Sequence, residues 1–234
     1  MTFSIIYRTY SGETDGNLNR FRPTWFSKFR CWKSFWDEFG KKTDVIVLWD
    51  GEPFGELYEY IKSFGPKIFN YGKLGNLKSL LKTYELLKIL NTNVIATVED
   101  DFLIFPECLD VLQEGFCMGF PMMSTYEHID RYDLPSHDVS FGKDEIYKGS
   151  RCYFRSVEST TGTCFFRKNI FDSLYNKLIT YNVNDREFFR DCYFNGFRLY
   201  SSMPGYSTHV CIDNGKNLMS PFIDWEAFSN SIIL

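Results

Sequence analysis

The chain has 234 residues, with 26 Lys and Arg against 30 Asp and Glu, and its 24 Phe and 15 Tyr are spread along its length. That length buries a sizeable core, the aromatic density excludes a disordered chain, and a net charge of −4 gives no overall pull toward nucleic acid. No apolar run reaches the roughly 18–20 residues that a bilayer span requires, so no membrane span is expected.

Met1 to Tyr7 lacks a basic leader and a cleavable apolar segment, so it reads as a first strand, Phe3 to Arg8, of a cytoplasmic protein. A Gly, Asp and Asn-rich loop from Ser11 to Asn19 leads into an aromatic helix with Pro23 near its start. Asp44 to Trp49 is a second apolar strand closed by Asp50-Gly51, followed by a helix near Gly55 to Ser63 and a short strand, Lys67 to Asn70. Leu77, Leu80, Leu81, Tyr84 and Leu87 mark one face of a helix from about Asn76 to Leu90, and Val94 to Val98 is the next strand. Repeated β-α-β units predict an α/β fold with a mostly parallel central sheet and helices on both faces.

Beyond Asp101 the pattern is irregular. Pro106 to Glu114 suggests a short helix, and Gly119 to Ser124 a strand. Tyr126 to Ser150 is a long polar stretch of the kind that serves as a functional lid. Tyr153 to Val157 and Thr163 to Arg167 read as strands, Asn169 to Leu178 and Asp185 to Phe194 as helices, and Arg198 to Met203 as a last strand. One domain is expected, with residues 1–101 forming a nucleotide-binding-like half and residues 102–234 an acceptor and catalytic half.

Cys31, Cys108, Cys117, Cys152, Cys164, Cys192 and Cys211 make no Cys-x-x-Cys pair and no zinc-like spacing, which predicts reduced, buried thiols. Charge is unevenly distributed. Between Asn17 and Lys42 lie Arg20, Arg22, Lys28, Arg30, Lys33, Lys41 and Lys42 against only Asp37 and Glu38, interleaved with Trp25, Phe26, Phe29, Trp32, Phe35, Trp36 and Phe39. Two readings stand: an amphipathic helix with its bases in solvent, or a basic face for phosphate-rich ligands, nucleic acid included.

The densest chemical signal is Glu99-Asp100-Asp101, three adjacent acids at the end of an apolar strand. Three carboxylates cannot be buried unpaired, so something must offset their charge. At the C-terminal tip of a strand in an α/β sheet the natural offset is a divalent metal carrying a phosphorylated ligand. A solvated acidic turn is the plain alternative.

The order of these signals resembles the GT-A class of glycosyltransferases, particularly the compact enzymes of large DNA viruses and phages. It rests on Ile5-Ile6-Tyr7-Arg8-Thr9, Arg22-Pro23-Thr24-Trp25-Phe26-Ser27-Lys28, Trp49-Asp50-Gly51, Glu99-Asp100-Asp101 and Pro204-Gly205-Tyr206-Ser207-Thr208-His209. The acidic motif departs from the family's Asp-x-Asp by a Glu in first place. The resemblance implies a GT-A (Rossmann-like) fold and a Mn²⁺ or Mg²⁺ cofactor that neutralises the diphosphate of a nucleotide-sugar donor, a UDP-sugar being the first expectation. It implies that Asp101 ligates the metal, with Asp100 and Glu99 lining the ribose side, and that Asp50 accepts a hydrogen bond from the nucleobase, although a turn former before Gly51 is as natural. Tyr7, Arg8, Thr9 and Tyr10 lie where base or diphosphate rests. Asn76 and Lys78 are phosphate-side contacts, with helix capping the alternative for Asn76. His209 is a further metal or diphosphate ligand, whereas His128 and His137 sit in the polar loop, where they read as surface residues, with acceptor contacts through Tyr126, His128, Asp130 and Arg131 the alternative.

An inverting transfer needs a general base for the acceptor hydroxyl. Asp185 has the family's placement for it, with Glu187 and Asp191 as competitors and a helix N-cap as its structural alternative. Thr160-Thr161-Gly162-Thr163 suits a floor under donor and acceptor. The resemblance therefore implies a metal-dependent glycosyltransferase acting on a hydroxyl acceptor, either a glycan or a hydroxymethylated base in viral DNA. A non-catalytic nucleotide-sugar-binding module and a metal-dependent phosphoryl-transfer enzyme are the other two classes considered.

Overall fold

The computed structural model describes residues 1–12, 20–132, 145–181 and 184–234. Its elements in chain order are β1 (Phe3–Tyr10), β2 (Arg20–Phe21), α1 (Lys28–Phe35), β3 (Asp44–Asp50), α2 (Glu56–Ser63), β4 (Lys67–Asn70), α3 (Asn76–Ile89), β5 (Val94–Glu99), β6 (Phe102–Ile104), α4 (Cys108–Cys117) and β7 (Met122–Ser124). They continue with β8 (Ile146–Lys148), β9 (Tyr153–Val157), β10 (Thr163–Arg167), α5 (Lys168–Thr180), α6 (Asp185–Phe194), β11 (Leu199–Met203), β12 (Ser207–His209), β13 (Ile212–Asp213), β14 (Lys216–Asn217) and α7 (Trp225–Ser231).

A nine-stranded sheet in the order β4-β3-β1-β5-β10-β7-β11-β9-β8 runs through both halves of the chain. Strands β4, β3, β1, β5, β7, β11 and β8 point one way, and only β10 and β9 oppose them. The fold is thus α/β with a mostly parallel sheet, as the β-α-β alternation predicts. No described helix is long and apolar enough to cross a membrane.

Strand periodicity decides which side chains meet which helices. Phe3, Ile5 and Tyr7 of β1 and Val94, Ala96 and Val98 of β5 face one core with Trp32, Phe35 and Phe39. Ile6 and Ile95 face the other, against Leu86 and Leu87 of α3, Phe171 and Leu174 of α5 and Phe188 of α6. Both faces of the sheet are therefore covered, which is what its near-continuous apolar strands require.

Several boundaries differ from the sequence expectation. Pro23 precedes a turn (Phe26 N–H to Pro23 C=O, 2.9 Å), and α1 begins later, where the Ser27 side chain accepts from Arg30 N–H. A π-helical turn, Trp36–Gly40, continues α1. The aromatics of this segment build the core, and its bases divide. Lys33 pairs with Asp37, Lys42 with Glu38, and Arg30 reaches Asn230, whereas Arg22 and Lys28 turn inward to acids. Strands β6, β12, β13 and β14 and helix α7 were not anticipated. Two- and three-residue strands leave no periodicity to read, and α7 holds its place through Trp225, which packs with Leu103 and Val210. In the long polar stretch Ile129–Tyr132 forms a 3₁₀ turn and Ile146–Lys148 a strand, while His137 lies outside the described residues. No cysteine among those described is disulfide-bonded, and all except Cys117 are buried.

Candidate functional site

The C-terminal ends of β1, β3 and β5 open into a cleft of about 1000 Å³ whose walls include Arg8, Thr9, Asp50, Asn76, Glu99, Asp100, Asp101, Asp185 and His209. Ligand crevices of α/β sheets form at this edge.

The acid triplet divides in two. Arg8 and Glu99 are register partners on neighbouring strands, so their side chains leave the same face of the sheet and form an ion pair. Arg8 also donates to Asn76 Oδ1 at 2.8 Å. Asn76 therefore anchors Arg8, and the cap position of α3 belongs to Gly75. Asp100 turns the other way and is buried. Its Oδ2 accepts from Thr9 Oγ1 at 2.7 Å, Tyr10 N–H at 3.2 Å and Lys28 Nζ at 2.8 Å. Lys28 spends its remaining donors on the carbonyls of Tyr10 (3.0 Å) and Gly12 (2.5 Å), tying the end of β1 to Asp100.

Asp101 is held by β12. Pairing of His209 with Phe102 across β6 and β12 places His209 Nε2 3.0 Å from Asp101 Oδ2, and the imidazole stacks on the Phe102 ring at 5.1 Å and 7°. Arg22 donates to the same carboxylate oxygen at 2.7 Å and to Val210 C=O at 2.6 Å. Burial pushes the Asp101 carboxyl up, but His209 and then Arg22 outweigh it and hold the group well below the usual carboxylate range. The charge of the triplet is thus offset by cations of the chain itself, a pairing the sequence reading missed. Its signal was the surplus of bases in the Asn17–Lys42 segment.

Asp185 lies on another wall. Asn184 fills the N-cap position of α6, accepting from Glu187 N–H at 3.3 Å, so capping does not account for Asp185. Burial, then the nearby Glu99 carboxylate, pushes its carboxyl up to about 7, against smaller opposing effects of the Thr161 hydroxyl and Arg8. Glu187 and Asp191 do not line the cleft. Glu187 is exposed and Asp191 pairs with Lys177 at 2.8 Å.

Other expected residues fall as follows. Asp50 lines the cleft with one oxygen held by Leu74 N–H at 2.6 Å. Tyr7 stands outside the cleft because alternation along β1 turns it to the opposite face, where it is 1% exposed and packs on Trp32 and Phe35 at 5.0 and 4.7 Å. Its ring offers no face for a base. Lys78 is exposed on α3 and does not line the cleft. Tyr126 is buried with its hydroxyl on Leu218 C=O at 2.6 Å, His128 lines the cleft, and Arg131 donates to Ser159 C=O at 2.7 Å. The Asp130 side chain lies outside what is described. Thr160, Thr161, Gly162 and Thr163 line the cleft, and Gly162 (φ +65°) sits so close to Phe102 that a Cβ would clash with its ring.

Among the described residues no three His, Cys, Asp or Glu side chains converge into a ready metal cage. One observation nevertheless fits a hard cation: Asp101 Oδ1 is buried without a hydrogen-bond partner, beside an imidazole. A Mg²⁺-type ion takes one or two protein carboxylates and fills its shell with water and phosphate oxygens, so such a pair suffices.

No family profile and no curated protein matches the chain. Among solved structures it is similar to 4-diphosphocytidyl-2C-methyl-D-erythritol synthase from Anaerococcus prevotii, with a TM-score of 0.51 and 13% identity over 98% of this chain and 95% of that one. It also aligns with CMP:2-keto-3-deoxy-manno-octonic acid synthetase in complex with CTP (TM-score 0.48, 14% identity, 88% and 92% coverage). The glycosyltransferase GlyE of Streptococcus pneumoniae aligns at a TM-score of 0.46 and 9% identity, over 85% of this chain and 44% of that protein. At such identities the likeness to the first establishes a shared Rossmann-like fold.

Proposed function

We propose that the chain is a glycosyltransferase that takes a sugar from a nucleotide-sugar donor and passes it to a hydroxyl acceptor. One observation supports this above the others: a single cleft holds both an acid–imidazole pair, Asp101 and His209, suited to a metal-bound diphosphate and, separately, a carboxyl whose pKa of about 7 suits a general base. The likeness to a 4-diphosphocytidyl-2C-methyl-D-erythritol synthase agrees with chemistry on a nucleotide diphosphate.

In this reading Asp50 faces the nucleobase, and Arg8, fixed by Asn76 and Glu99, pairs with the diphosphate. Asp101 and His209 would hold Mn²⁺ or Mg²⁺, which when bound would act as a Lewis acid toward the leaving diphosphate. Asp185, ionised, accepts the proton of the acceptor hydroxyl. The hydroxyl oxygen attacks the anomeric carbon, and the nucleoside diphosphate leaves with the bonding electrons, which inverts the anomeric centre. Thr161, beside Asp185, favours the ionised form of that carboxyl.

The test is a screen of nucleotide sugars with Mn²⁺ present, monitoring release of nucleoside diphosphate with and without added saccharides. Metal-dependent release, stimulated by a saccharide, is expected. Pyrophosphate released from a nucleoside triphosphate, with every nucleotide sugar left intact, would replace this reading by phosphoryl transfer. Binding without turnover would replace it by a non-catalytic module.

A further inference from the structure

The proposed metal ligands are already occupied by a cation of the protein. The Arg22 guanidinium donates to Asp101 Oδ2 at 2.7 Å, and its other terminal nitrogen lies 3.5 Å from His209 Nε2. It is further held by Val210 C=O at 2.6 Å and packs over the Phe26 ring at 5.1 Å. Arg22 therefore engages the carboxylate and the imidazole nitrogen that a divalent ion would use, leaving, of the two oxygens of Asp101, only Oδ1 without a hydrogen-bond partner. A guanidinium and a divalent cation repel at such range, and they compete for one carboxylate. A diphosphate changes the balance, because its paired oxygens and multiple negative charge offer the planar guanidinium of Arg22 a bidentate partner.

We infer that Arg22 is a tethered competitor of the metal: it neutralises Asp101 while the cleft lacks a donor, swings onto the donor's diphosphate when one binds, and so admits the cation only together with a nucleoside diphosphate. The inference rests on the metal part of the reading above. It makes metal and nucleotide mutually reinforcing ligands, each raising the other's affinity by the same factor. It also gives a reason why the described residues of this cleft form no ready cage. A site closed by its own arginine does not collect bare metal, yet keeps Asp101 paired in the resting protein, where an unpaired buried carboxylate would be costly.

Mn²⁺ binding, followed by electron paramagnetic resonance with and without UDP, CDP, GDP or ADP, tests the inference on the full chain. The wild type should bind Mn²⁺ weakly alone and at least about tenfold more tightly with the preferred diphosphate. In Arg22→Met the competitor is gone, so Mn²⁺ alone should bind about tenfold more tightly, the size of one charge-assisted hydrogen bond. Its coupling to the nucleotide should shrink by a similar factor. Arg22→Gln, which keeps a donor for Val210, should behave alike if the Met variant folds poorly by circular dichroism, and Arg22→Lys should retain weak Mn²⁺ binding. Unchanged Mn²⁺ affinity in a folded Met or Gln variant overturns the inference, as does a wild type that binds no Mn²⁺ with any of the four diphosphates. No sugar enters these measurements. Coupled Mn²⁺ and nucleotide binding with no sugar transfer would sink the transferase reading and leave the role of Arg22 intact.

Discussion

Replacing Asp185 by Asn should make the protein more stable and far less active. Burial raises this carboxyl from 3.8 to about 7, which by itself corresponds to roughly 4 kcal/mol against the charged form. Solvent reaching the open cleft reduces that, leaving about 2 kcal/mol. Because the folded-state value lies above the unfolded one, the folded protein holds the extra proton. Stability owed to this group is therefore full below about pH 4, declines as pH rises toward 7, and is absent above it. The amide carries no charge, so Asp185→Asn should match the wild type near pH 4 and exceed it at pH 8, by about 4–8 °C in Tm for a chain of this size. The cap is undisturbed, since Asn184 supplies it. Activity should move the opposite way. Loss of a positioned base costs roughly 10²–10⁴-fold in transfer, and wild-type kcat/KM should fall about tenfold per pH unit below 7, while calorimetry shows donor binding unchanged. Thermal unfolding at pH 4, 6 and 8 and a single-turnover assay together decide the matter. A variant that transfers sugar normally and is no more stable at pH 8 would refute both the base assignment and the burial argument beneath it.

Three further outcomes are expected. Asp101→Asn keeps the packing but lacks the charge that retains a hard cation, so Mn²⁺-dependent binding of nucleoside diphosphate should disappear in titration calorimetry while circular dichroism stays unchanged. Lys28→Met strips the buried Asp100 of its ion-pair partner, a loss of about 3–5 kcal/mol that should lower Tm by on the order of 10 °C; a shift under 2 °C would show that Thr9 and the Tyr10 amide suffice. Gly162→Ala meets both a positive φ and the Phe102 ring that carries His209, so it should lower Tm and weaken Mn²⁺ binding together, whereas Gly196→Ala, with φ +84° and open space around it, should lower Tm alone.

Much of the fold was legible because local patterns carry it. The apolar runs of β1, β3 and β5 and the face of α3 repeat over enough residues to declare their period, and β-α-β alternation then leaves little choice but a mostly parallel sheet. What was unreadable lay in short strands. His209 reaches Asp101 only because β12 pairs with β6, a contact between three-residue segments about a hundred positions apart. Tyr7 and Arg8 show the other limit: both lie in the second half of β1 and both suit a ligand, yet one packs on Trp32 and the other faces the cleft. The period of two forces the pair apart, and only the packing of α1 and α3 decides which goes where.

The acids make the division clearest. Three adjacent carboxylates at a strand end establish by themselves that compensating charge must lie nearby, since desolvating them unpaired is prohibitive. Which cations answer is a matter of tertiary structure: register brings Arg8 to Glu99, α1 brings Lys28 to Asp100, and the approach to α1 brings Arg22 to Asp101. Asp185 follows the same rule, for an isolated aspartate titrates near 4, and only its burial and the neighbouring Glu99 carboxylate raise it to about 7. Residue types set which charges exist, but Coulomb energy and desolvation depend on distance and burial, and the fold alone supplies those.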